Sequence, residues 1–500
     1  MKIVAQLLTM TLLPMSFATA QLDPAQQIER LAPMVDRAYQ AFAEQYHSPG
    51  LAYAVVFNGE VIHWGSLGHT DVERQVPVTD KSVFRIASMT KSFVAAAIVK
   101  LRDEGKLQLD DPVEKYIPNF KGHRMVTKDA PTITIRHLLT HTSGLPEDDP
   151  WGDRLLGMDE GTFEKLVDDG FSFSNTPGVS YEYSNTPFAL LGVIIKVVSG
   201  LPYHTYVQQH ILEPLGMGDT YFEYRDVPAD RLAKGYRWVN NEWVEQPLYG
   251  NGVYGAMGGM LTTLGDFAKY MQLHQQAWPA RDDADNQPLR RASLREMQAP
   301  WVFNTLTPYD GDLTSFAYGY GLRWTRDVNQ ITTVGHTGGL PGFGSNWMIL
   351  PDYGLGLVCF SNVTYAPAAD INTAVAKAIV QQAGLKPRAL PVAPILKQRQ
   401  DDLVRFLPDW ENAEGADCFS GNFFPDNYVS MLRADCDSVF AVAGAVEAVH
   451  DVVPINNLRG TFVIRCENRD VEIFFSLTPE STPRIQQFAI RLLDERSPTP

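Results

Sequence analysis

The sequence predicts an α+β fold in which an antiparallel sheet is flanked by helices, followed by a separate small all-β unit. Three observations predict this class. A helix and a strand hairpin open the chain, and three strands with a helix close its main region, an order typical of one sheet with helices from both ends of a domain. Beyond a proline-rich stretch, short strands alternate with turn residues up to the C-terminus.

The first segment has the three parts of a secretory signal. A lysine follows the initiator methionine, residues 3–17 are mainly apolar, and Ala18-Thr19-Ala20 supplies a small-residue cleavage site. We therefore expect a signal peptide at 1–20, cleavage after Ala20, and a periplasmic or secreted protein. No cysteine follows that site and no later run reaches the roughly 18 apolar residues that span a bilayer, so we expect no stable membrane anchor.

The main region begins with a helix expected at 26–46, where apolar residues recur at helical spacing. Strand-like runs at 51–57 and 61–65 flank Asn58-Gly59, a pair suited to a tight turn with positive φ. The middle of the chain is expected to be mostly helical with long loops. Three strands and a helix then complete the sheet, at 330–334, 345–350, 355–361 and 367–382.

The composition changes near residue 385. Residues 384–398 contain three prolines and show neither helical nor strand periodicity, which indicates a linker. We place the main domain at 21–385, the linker at 386–414 and a C-terminal β-domain, a barrel or sandwich, at 415–500. Its strands are expected at 419–424, 428–432, 439–442, 461–465, 471–476 and 484–492.

Charge and cysteine content narrow the classes of partner. The formal net charge of −16 argues against nucleic acid and anionic membrane surfaces, because both require a basic face on the protein. The four cysteines lack the paired spacing of a zinc site, so we expect no metal. An exported protein permits a disulfide, and Cys418 with Cys436 is the pair that we expect.

Ser88 and Lys91 open a strongly amphipathic helix. Residues three apart on a helix lie on one face, with Cβ atoms roughly 5–6 Å apart, so the Lys91 amine can reach the Ser88 hydroxyl. A neutral lysine there can take the serine proton, and the helix N-terminus favours a developing negative charge. Taken alone, such a pair is most often part of a solvated helix face.

Two later motifs supply what a serine nucleophile needs. Tyr183 and Asn185 lie in a loop directly ahead of a helix expected at 187–198. A tyrosine hydroxyl near a lysine amine can relay a proton, and an asparagine amide can hold an acyl-amide substrate. His336-Thr337-Gly338-Gly339 is expected to follow a strand, and its glycines let the backbone approach a substrate and offer an N–H to an oxyanion.

Together these motifs resemble those of the penicillin-recognising serine enzymes, specifically the class C β-lactamase-like group, which also holds D-aminopeptidases, D,D-peptidases and esterases. The resemblance covers about residues 25–385 and implies a β-lactamase/transpeptidase-like fold. Each motif alone is common, whereas their joint occurrence in this order is specific. The motifs that carry it are Ser88-x-x-Lys91, Tyr183-x-Asn185 and His336-Thr337-Gly338.

The resemblance implies a role for each position. Ser88 is the nucleophile that forms an acyl-enzyme, and Lys91 with Tyr183 is the proton-transfer pair. The backbone N–H groups of Ser88 and Gly339 form the oxyanion hole. The implied substrate-binding residues are Asn185, His336, Thr337 and Gly338. No metal or organic cofactor is implied.

His336 departs from the pattern of many family members. Those that recognise a free carboxylate often carry lysine there, and histidine supplies a weaker, pH-dependent positive charge. Histidine at this position resembles the D-aminopeptidase and esterase branches, which argues against β-lactamase and strict carboxypeptidase action. We expect His336→Ala to lower turnover and to flatten its pH dependence between about 5 and 8. The histidines at 137 and 141 are expected to be structural.

The function expected from the sequence is an exported serine hydrolase that cleaves amide bonds of small peptides, either peptides that contain D-residues or peptidoglycan-like ends. A carboxylesterase of the same family is the alternative, because it passes through the same acyl-enzyme. A β-lactamase, or a ligand-binding sensor that does not hydrolyse its ligand, is less favoured. The expected partner is a small-molecule or peptide substrate, and the sequence leaves the oligomeric state open.

Overall fold

The computed structural model describes residues 23–122 and 125–494, and the predicted signal peptide at 1–20 lies outside them. The chain divides between residues 387 and 388 into two compact units, which are described separately. No single helix in the described ranges is long and apolar enough to cross a membrane. One bent pair, Thr186–Ser199 with Tyr203–Leu212, meets that criterion only when its two parts are joined.

The strands of the first unit are β1 Gly50–Phe57, β2 Glu60–Asp71, β3 Val76–Pro77, β4 Phe84–Arg85, β5 Gly235–Val239, β6 Glu242–Gln246, β7 Leu261–Thr262, β8 Val302–Tyr309, β9 Asp312–Tyr318, β10 Arg323–Arg326, β11 Thr332–Leu340, β12 Phe343–Leu350 and β13 Leu355–Ser361. Its helices are α1 Pro24–Glu29, α2 Ala32–Gln45, α3 Thr90–Asp103, α4 Ile135–Leu139, α5 Asp149–Gly152, α6 Glu160–Asp169, α7 Thr186–Ser199, α8 Tyr203–Val207, α9 Gly255–Gly258, α10 Leu264–Gln275, α11 Arg291–Met297 and α12 Ala368–Gln382.

A nine-stranded antiparallel sheet in the order β3-β2-β1-β13-β12-β11-β10-β9-β8 forms the centre of this unit. The predicted opening hairpin is confirmed, and its connecting residues Asn58 and Gly59 have φ of 51° and 89°, as a type I′ turn requires. On its other side β1 pairs with β13, with Leu51 opposite Ser361. Strands from the two ends of the unit are therefore neighbours.

Helices pack against both faces of the sheet, which confirms the α+β class. On one face, α2 and α12 contribute Tyr39 and Val375 to a core with the buried side chains of β1 and β13. On the other face, α3, α7 and α10 form a larger core that includes Phe93, Phe267 and Trp347. The helix α3, which Ser88 precedes, is buried along nearly its whole length.

The sheet is wider than predicted, because β8, β9 and β10 were not expected. The edge strand β8 is exposed along most of its length and contains Pro308, so no alternation of buried and exposed residues marks it. The strand β11 also extends further than predicted. His336 therefore lies inside a strand and not after it.

The second unit contains the predicted β-sheet, but it is not all-β. Its strands are β14 Val446–Val449, β15 Val453–Asn456, β16 Arg459–Cys466, β17 Val471–Leu477 and β18 Ile485–Leu492, and its helices are α13 Pro394–Phe406, α14 Phe423–Asp426 and α15 Val429–Ala443. The strands predicted at 428–432 and 439–442 are wrong, because both segments belong mainly to α15. The buried residues of that helix, Leu432, Cys436 and Ala443, recur at helical spacing. The strand predicted at 419–424 is also absent, since α14 begins within it.

The structure also corrects the predicted linker at 386–414. The helix α13 lies within it, begins at Pro394, and buries Leu396 and Leu403 in the core of the second unit. Proline is favoured at the first position of a helix, where its missing N–H costs nothing. The last of the three prolines thus marks a helix start and not a flexible segment.

Cys418 and Cys436 do not form the predicted disulfide, since both are buried thiols. Cys436 lies on α15, where its Sγ accepts a hydrogen bond of 3.4 Å from the Trp410 indole N–H. Burial raises the pKa of Cys436, and it raises the pKa of Cys418 to about 11. Both thiols are therefore protonated and poorly reactive near neutral pH.

Candidate active site

Ser88 lies in a single 3-10 turn, Ala87–Met89, that leads directly into α3. Ala87 has a φ of 49°, which is uncommon for a residue other than glycine, so the chain turns sharply just before the serine. The Thr90 hydroxyl donates to the Ala87 carbonyl at 2.7 Å and holds this turn. Ser88 is therefore fixed at the start of a buried helix, and 8% of its surface remains exposed to solvent.

Lys91 is fully buried one turn along α3, and the predicted contact with Ser88 is present. Its Nζ lies 2.9 Å from Ser88 Oγ, 2.7 Å from Asn185 Oδ1 and 3.0 Å from the Met257 carbonyl. Both of the latter oxygens accept hydrogen bonds only. A neutral amine that donates to both of them therefore directs its lone pair at the Ser88 hydroxyl.

The charge state of Lys91 suits that arrangement. Burial lowers the pKa of Lys91 to about 8, while the carboxylates of Asp149, Asp153 and Asp148 act in the opposite direction. A substantial fraction of the amine is thus neutral near physiological pH. The residue meets the requirement for a general base in a buried site.

Tyr183 lies beside the same pair. Its ring centroid is 4.9 Å from Lys91 Nζ, and the Ser88 side chain lies close enough to its hydroxyl to influence its pKa. Burial raises the pKa of Tyr183 well above its usual value, although Arg323 and the Ser88 contact oppose the rise. Tyr183 is therefore a neutral phenol near pH 7, able to pass a proton along while Lys91 accepts one.

Asn185 is buried and engaged by protein groups on both sides of its amide. Its Oδ1 accepts from Lys91, and its Nδ2 donates to Asp149 Oδ1 at 2.8 Å. The Asp148 carboxylate holds this segment, because it accepts from the backbone N–H of Asn185 at 2.6 Å and of Thr186 at 3.0 Å. Asn185 thus positions the Lys91 amine, a contact that the sequence did not predict.

The strand β11 lines the same site as Ser88 and Tyr183. Ser88, Tyr183, Thr337 and Gly339 all line one cavity of about 240 Å³, named here the Ser88 pocket. At Gly338 a Cβ atom would lie 2.1 Å from the Ile86 carbonyl oxygen, so only glycine allows β11 to approach the serine turn this closely. The predicted motifs therefore meet in one pocket, although they are far apart in the chain.

His336 faces the interior and is only 1% exposed. Its Nδ1 lies 2.6 Å from the Thr337 carbonyl, and its Nε2 lies 2.8 Å from the Tyr318 hydroxyl. The same hydroxyl lies 3.2 Å from His141 Nε2, and the backbone N–H of Ser184 donates to His141 Nδ1. Because a carbonyl only accepts and a backbone N–H only donates, each histidine has one tautomer that satisfies its contacts, and both tautomers are neutral.

Electrostatics keep both histidines neutral. Burial lowers the pKa of His336 and of His141 well below the usual value, and nearby cations including Lys91 and Arg323 act in the same direction. This corrects the expectation that His336 supplies a pH-dependent positive charge. The ring stays uncharged through the range in which a free histidine titrates.

The structure therefore revises the effect expected of His336→Ala. We expect a lower kcat/KM, because Tyr318 loses its acceptor, but the same pH profile as the wild type between about 5 and 8. The measurement is kcat/KM across that range for both proteins. A flatter profile in the variant would show that His336 titrates and would contradict the assigned neutral state.

The positive charge of the pocket belongs to Arg323, a residue that was not predicted from the sequence. Arg323 begins β10, lines the Ser88 pocket, and places its guanidinium carbon 5.1 Å from the Tyr183 ring centroid. Its Nε is buried without a hydrogen-bond partner among the described residues. No motif marks this arginine, and its strand was not predicted. Asp148 and Asp149 were missed as well, because their loop has no readable pattern.

Tyr365 also lines the Ser88 pocket. It has a φ of 53°, and its hydroxyl donates to Asp153 Oδ2 at 2.7 Å. Burial raises the pKa of Asp153 to about 7. In the described parts of the chain, no group of three histidine, cysteine, aspartate or glutamate side chains is placed to hold a metal ion.

The chain is similar in sequence to known proteins. A family model described as Beta-lactamase matches residues 35–381. Penicillin-binding protein 4* of Bacillus subtilis (strain 168) is 27% identical over 342 residues, which is 65% of this chain and 70% of that protein. Protein flp of Staphylococcus aureus (strain MW2) is 28% identical over 340 residues, 67% of this chain and 64% of that protein. The chain thus matches just under two thirds of the length of flp.

A solved structure is similar across both units. The octameric penicillin-binding protein homologue from Pyrococcus abyssi superimposes with a TM-score of 0.60 at 22% sequence identity. The match covers 93% of this chain and 96% of the other. At this identity the likeness shows a shared fold.

Proposed function

The chain belongs to the β-lactamase family, and on that premise we propose that it is a serine hydrolase that forms an acyl-enzyme on Ser88. One observation carries the proposal. The buried Lys91 amine has two carbonyl acceptors at 2.7 and 3.0 Å, and its remaining contact is the Ser88 hydroxyl at 2.9 Å. That arrangement activates a serine without a histidine base.

The reaction proceeds in two halves. Ser88 Oγ bonds to the substrate carbonyl carbon while its proton passes to Lys91, and the N–H groups of Ser88 and Gly339 hold the oxyanion. The bond to the leaving amine then breaks, and the proton passes from Lys91 through the Tyr183 hydroxyl to that amine. Water next attacks the acyl carbon and gives a proton to Lys91. The bond between that carbon and Ser88 Oγ then breaks, and Lys91 returns the proton to Oγ, so the acid is released and Ser88 is restored.

We infer that the substrate is a small peptide whose leaving residue ends in a free carboxylate. The Arg323 guanidinium in the Ser88 pocket supports this, because a cation whose buried Nε has no hydrogen-bond partner among the described residues suits a carboxylate. The name of the Bacillus relative, a penicillin-binding protein, supports peptides with D-residues or peptidoglycan-like ends. In this proposal Arg323, and not His336, supplies the positive charge that binds the substrate carboxylate.

A carboxylesterase is the second candidate, and Asn185 favours it. Both polar atoms of that amide are engaged by Lys91 and Asp149, which leaves the side chain less free to hold a substrate amide. An ester needs no such contact. The same acyl-enzyme serves both substrates.

We also propose that the protein acts outside the cytoplasm, on the basis of the signal pattern in residues 1–20. Export would release a mature chain that begins at Gln21. The intact mass of the protein recovered from its native compartment tests this.

Ser88→Ala is expected to lower hydrolysis by about 10³-fold or more, because no other group can form the acyl-enzyme. The matched control is Ser92→Ala, a buried serine one turn further along α3 whose hydroxyl donates to the Met89 carbonyl, and it should keep near-normal rates. The substrates are D-alanyl and L-alanyl peptides of one acyl group, the matching aryl ester and a chromogenic cephalosporin.

The relative rates on that set separate the candidates. Faster cleavage of the D-peptide supports the peptidase, and faster cleavage of the ester supports the esterase. Hydrolysis that persists in Ser88→Ala, with no mass adduct on Ser88 in the wild type, would refute the acyl-enzyme.

A further inference from the structure

A second cavity, named here the side pocket, adjoins the Ser88 pocket. It has a volume of about 270 Å³ and is lined by residues of β8 to β12, by the first turns of α12 and by Tyr181. Arg323, Thr337 and Ala369 line both cavities. A ligand held in the Ser88 pocket at Arg323 therefore stands at the boundary of the side pocket.

The walls of the side pocket suit an uncharged group. Phe316, Tyr318 and Met348 supply ring and thioether surface. The hydroxyls of Thr325 and Thr333 bond each other at 2.6 Å. Burying a charge beside such walls without a partner is costly, whereas an aromatic or branched apolar group gains from the contact.

The pocket is held open by contacts between the β8–β9 hairpin and α12. The Tyr309 hydroxyl donates to Asp370 Oδ1 at 2.9 Å, so one oxygen of this lining carboxylate has a protein donor. Lys377 Nζ lies 2.8 Å from Asp312 Oδ2 and 3.3 Å from Asp310 Oδ2. A preformed apolar cavity of about 150 Å³ already binds benzene, so this one accepts a phenyl group or a larger one.

We propose that the side pocket receives the side chain of the leaving residue and selects a large, uncharged, preferably aromatic one. The inference rests on the proposed peptidase function, in which Arg323 binds the carboxylate of that residue. The carboxylate, the Cα and the side chain of one residue lie within a few bonds of each other. A carboxylate at Arg323 therefore brings its side chain to the entrance of the side pocket.

The test compares two peptides with the same acyl group and either alanine or phenylalanine, in both the D and the L form, as the leaving residue. The wild type should cleave the preferred phenylalanine peptide with a kcat/KM at least about tenfold above the alanine peptide. Thr333→Phe fills the side pocket and should lower that ratio about tenfold or more, with the alanine rate within about twofold of the wild type. Thr332→Phe, the neighbouring position with its side chain on the other face of β11, should keep the wild-type ratio.

A second measurement separates this inference from the proposed function. Calorimetric binding of the same peptides to Ser88→Ala should show tighter binding of the phenylalanine peptide, and Thr333→Phe in that background should remove the difference. Preference in binding without cleavage by the wild type would uphold the side pocket and refute the peptidase. Two outcomes would overturn the proposed role of the side pocket. One is cleavage of the alanine peptide with no phenylalanine preference in either measurement. The other is an equal loss of kcat/KM on both peptides in Thr333→Phe, with an unchanged melting temperature.

Discussion

Lys91→Met is expected to lower kcat/KM by about 10²–10⁴-fold and to remove the rise of the rate with pH near 8. The wild-type rate should increase tenfold per pH unit below the pKa of Lys91, about 8, and level off above it, because only the neutral amine accepts the Ser88 proton. The variant fills a similar volume but has no lone pair of comparable basicity. It also leaves the Asn185 and Met257 carbonyl oxygens without a donor.

The pH dependence of the free energy of unfolding tests the charge state of Lys91 independently of activity. Burial lowers the pKa of Lys91 from its usual 10.5 to about 8, so its contribution to the free energy of unfolding is fully present above about 10.5 and is lost as the pH falls from there through about 8. Lys91→Met should flatten the dependence of that free energy on pH between about 8 and 10. Chemical denaturation at several pH values measures it.

Two further variants test whether the effect belongs to the base. Lys91→Arg keeps a cation whose pKa is too high for proton transfer, so it should be as inactive as Lys91→Met. Lys100→Met removes another lysine of α3 that bonds the Pro288 carbonyl at 3.0 Å, and it should retain the wild-type rate and profile. An unchanged pH profile in Lys91→Met would assign the base to another group.

Gly338→Ala is expected to lower kcat/KM by about 10²-fold or more and to reduce the free energy of unfolding by about 1–3 kcal/mol. The new methyl group would lie 2.1 Å from the Ile86 carbonyl oxygen and 2.3 Å from Ser345 Oγ. A backbone oxygen cannot move aside as a side chain can. The variant must therefore displace β11 from the turn that carries Ser88.

Glycine variants with different surroundings serve as controls. At Gly339 the nearest atom to an added Cβ is in the Tyr365 ring, at 2.8 Å, and that half-exposed side chain can shift, so Gly339→Ala should destabilise less than Gly338→Ala. Gly265→Ala, in open space on α10, should keep activity and gain a few tenths of a kcal/mol up to about 1 kcal/mol of stability. Equal activity of Gly338→Ala and the wild type would show that β11 is not confined by this contact.

Local sequence was sufficient to predict the parts of the site that depend on one element. The contact between Lys91 and Ser88 follows from helical spacing, and the β1–β2 hairpin follows from the backbone preferences of Asn58-Gly59. The position of Arg323 in the site depends instead on the pairing of β10 with β9 and β11. Nothing near it in sequence indicates which residues will surround it.

Two predictions from the sequence, the positive charge of His336 and the strands at 428–432 and 439–442, were wrong for different reasons. The sequence shows a histidine at position 336, but the neutral state of its ring depends on burial and on Tyr318, which belongs to another strand. In the second unit, the two segments of α15 that were predicted as strands contain Val429, Val439, Phe440 and Val442, whose strand preference is overridden by packing of the buried face of the helix. Tertiary contacts decide both outcomes.

The pairing of β1 with β13 has a consequence for synthesis. The central strand β1 leaves the ribosome early, yet its neighbour is complete only when Ser361 has emerged. Such long-range pairing makes folding slow, and it leaves the apolar side chains of β1 uncovered for most of translation. Nascent chains that stop before β13 should therefore be inactive and prone to aggregate, and they should depend on chaperones until the last strand of the sheet is made.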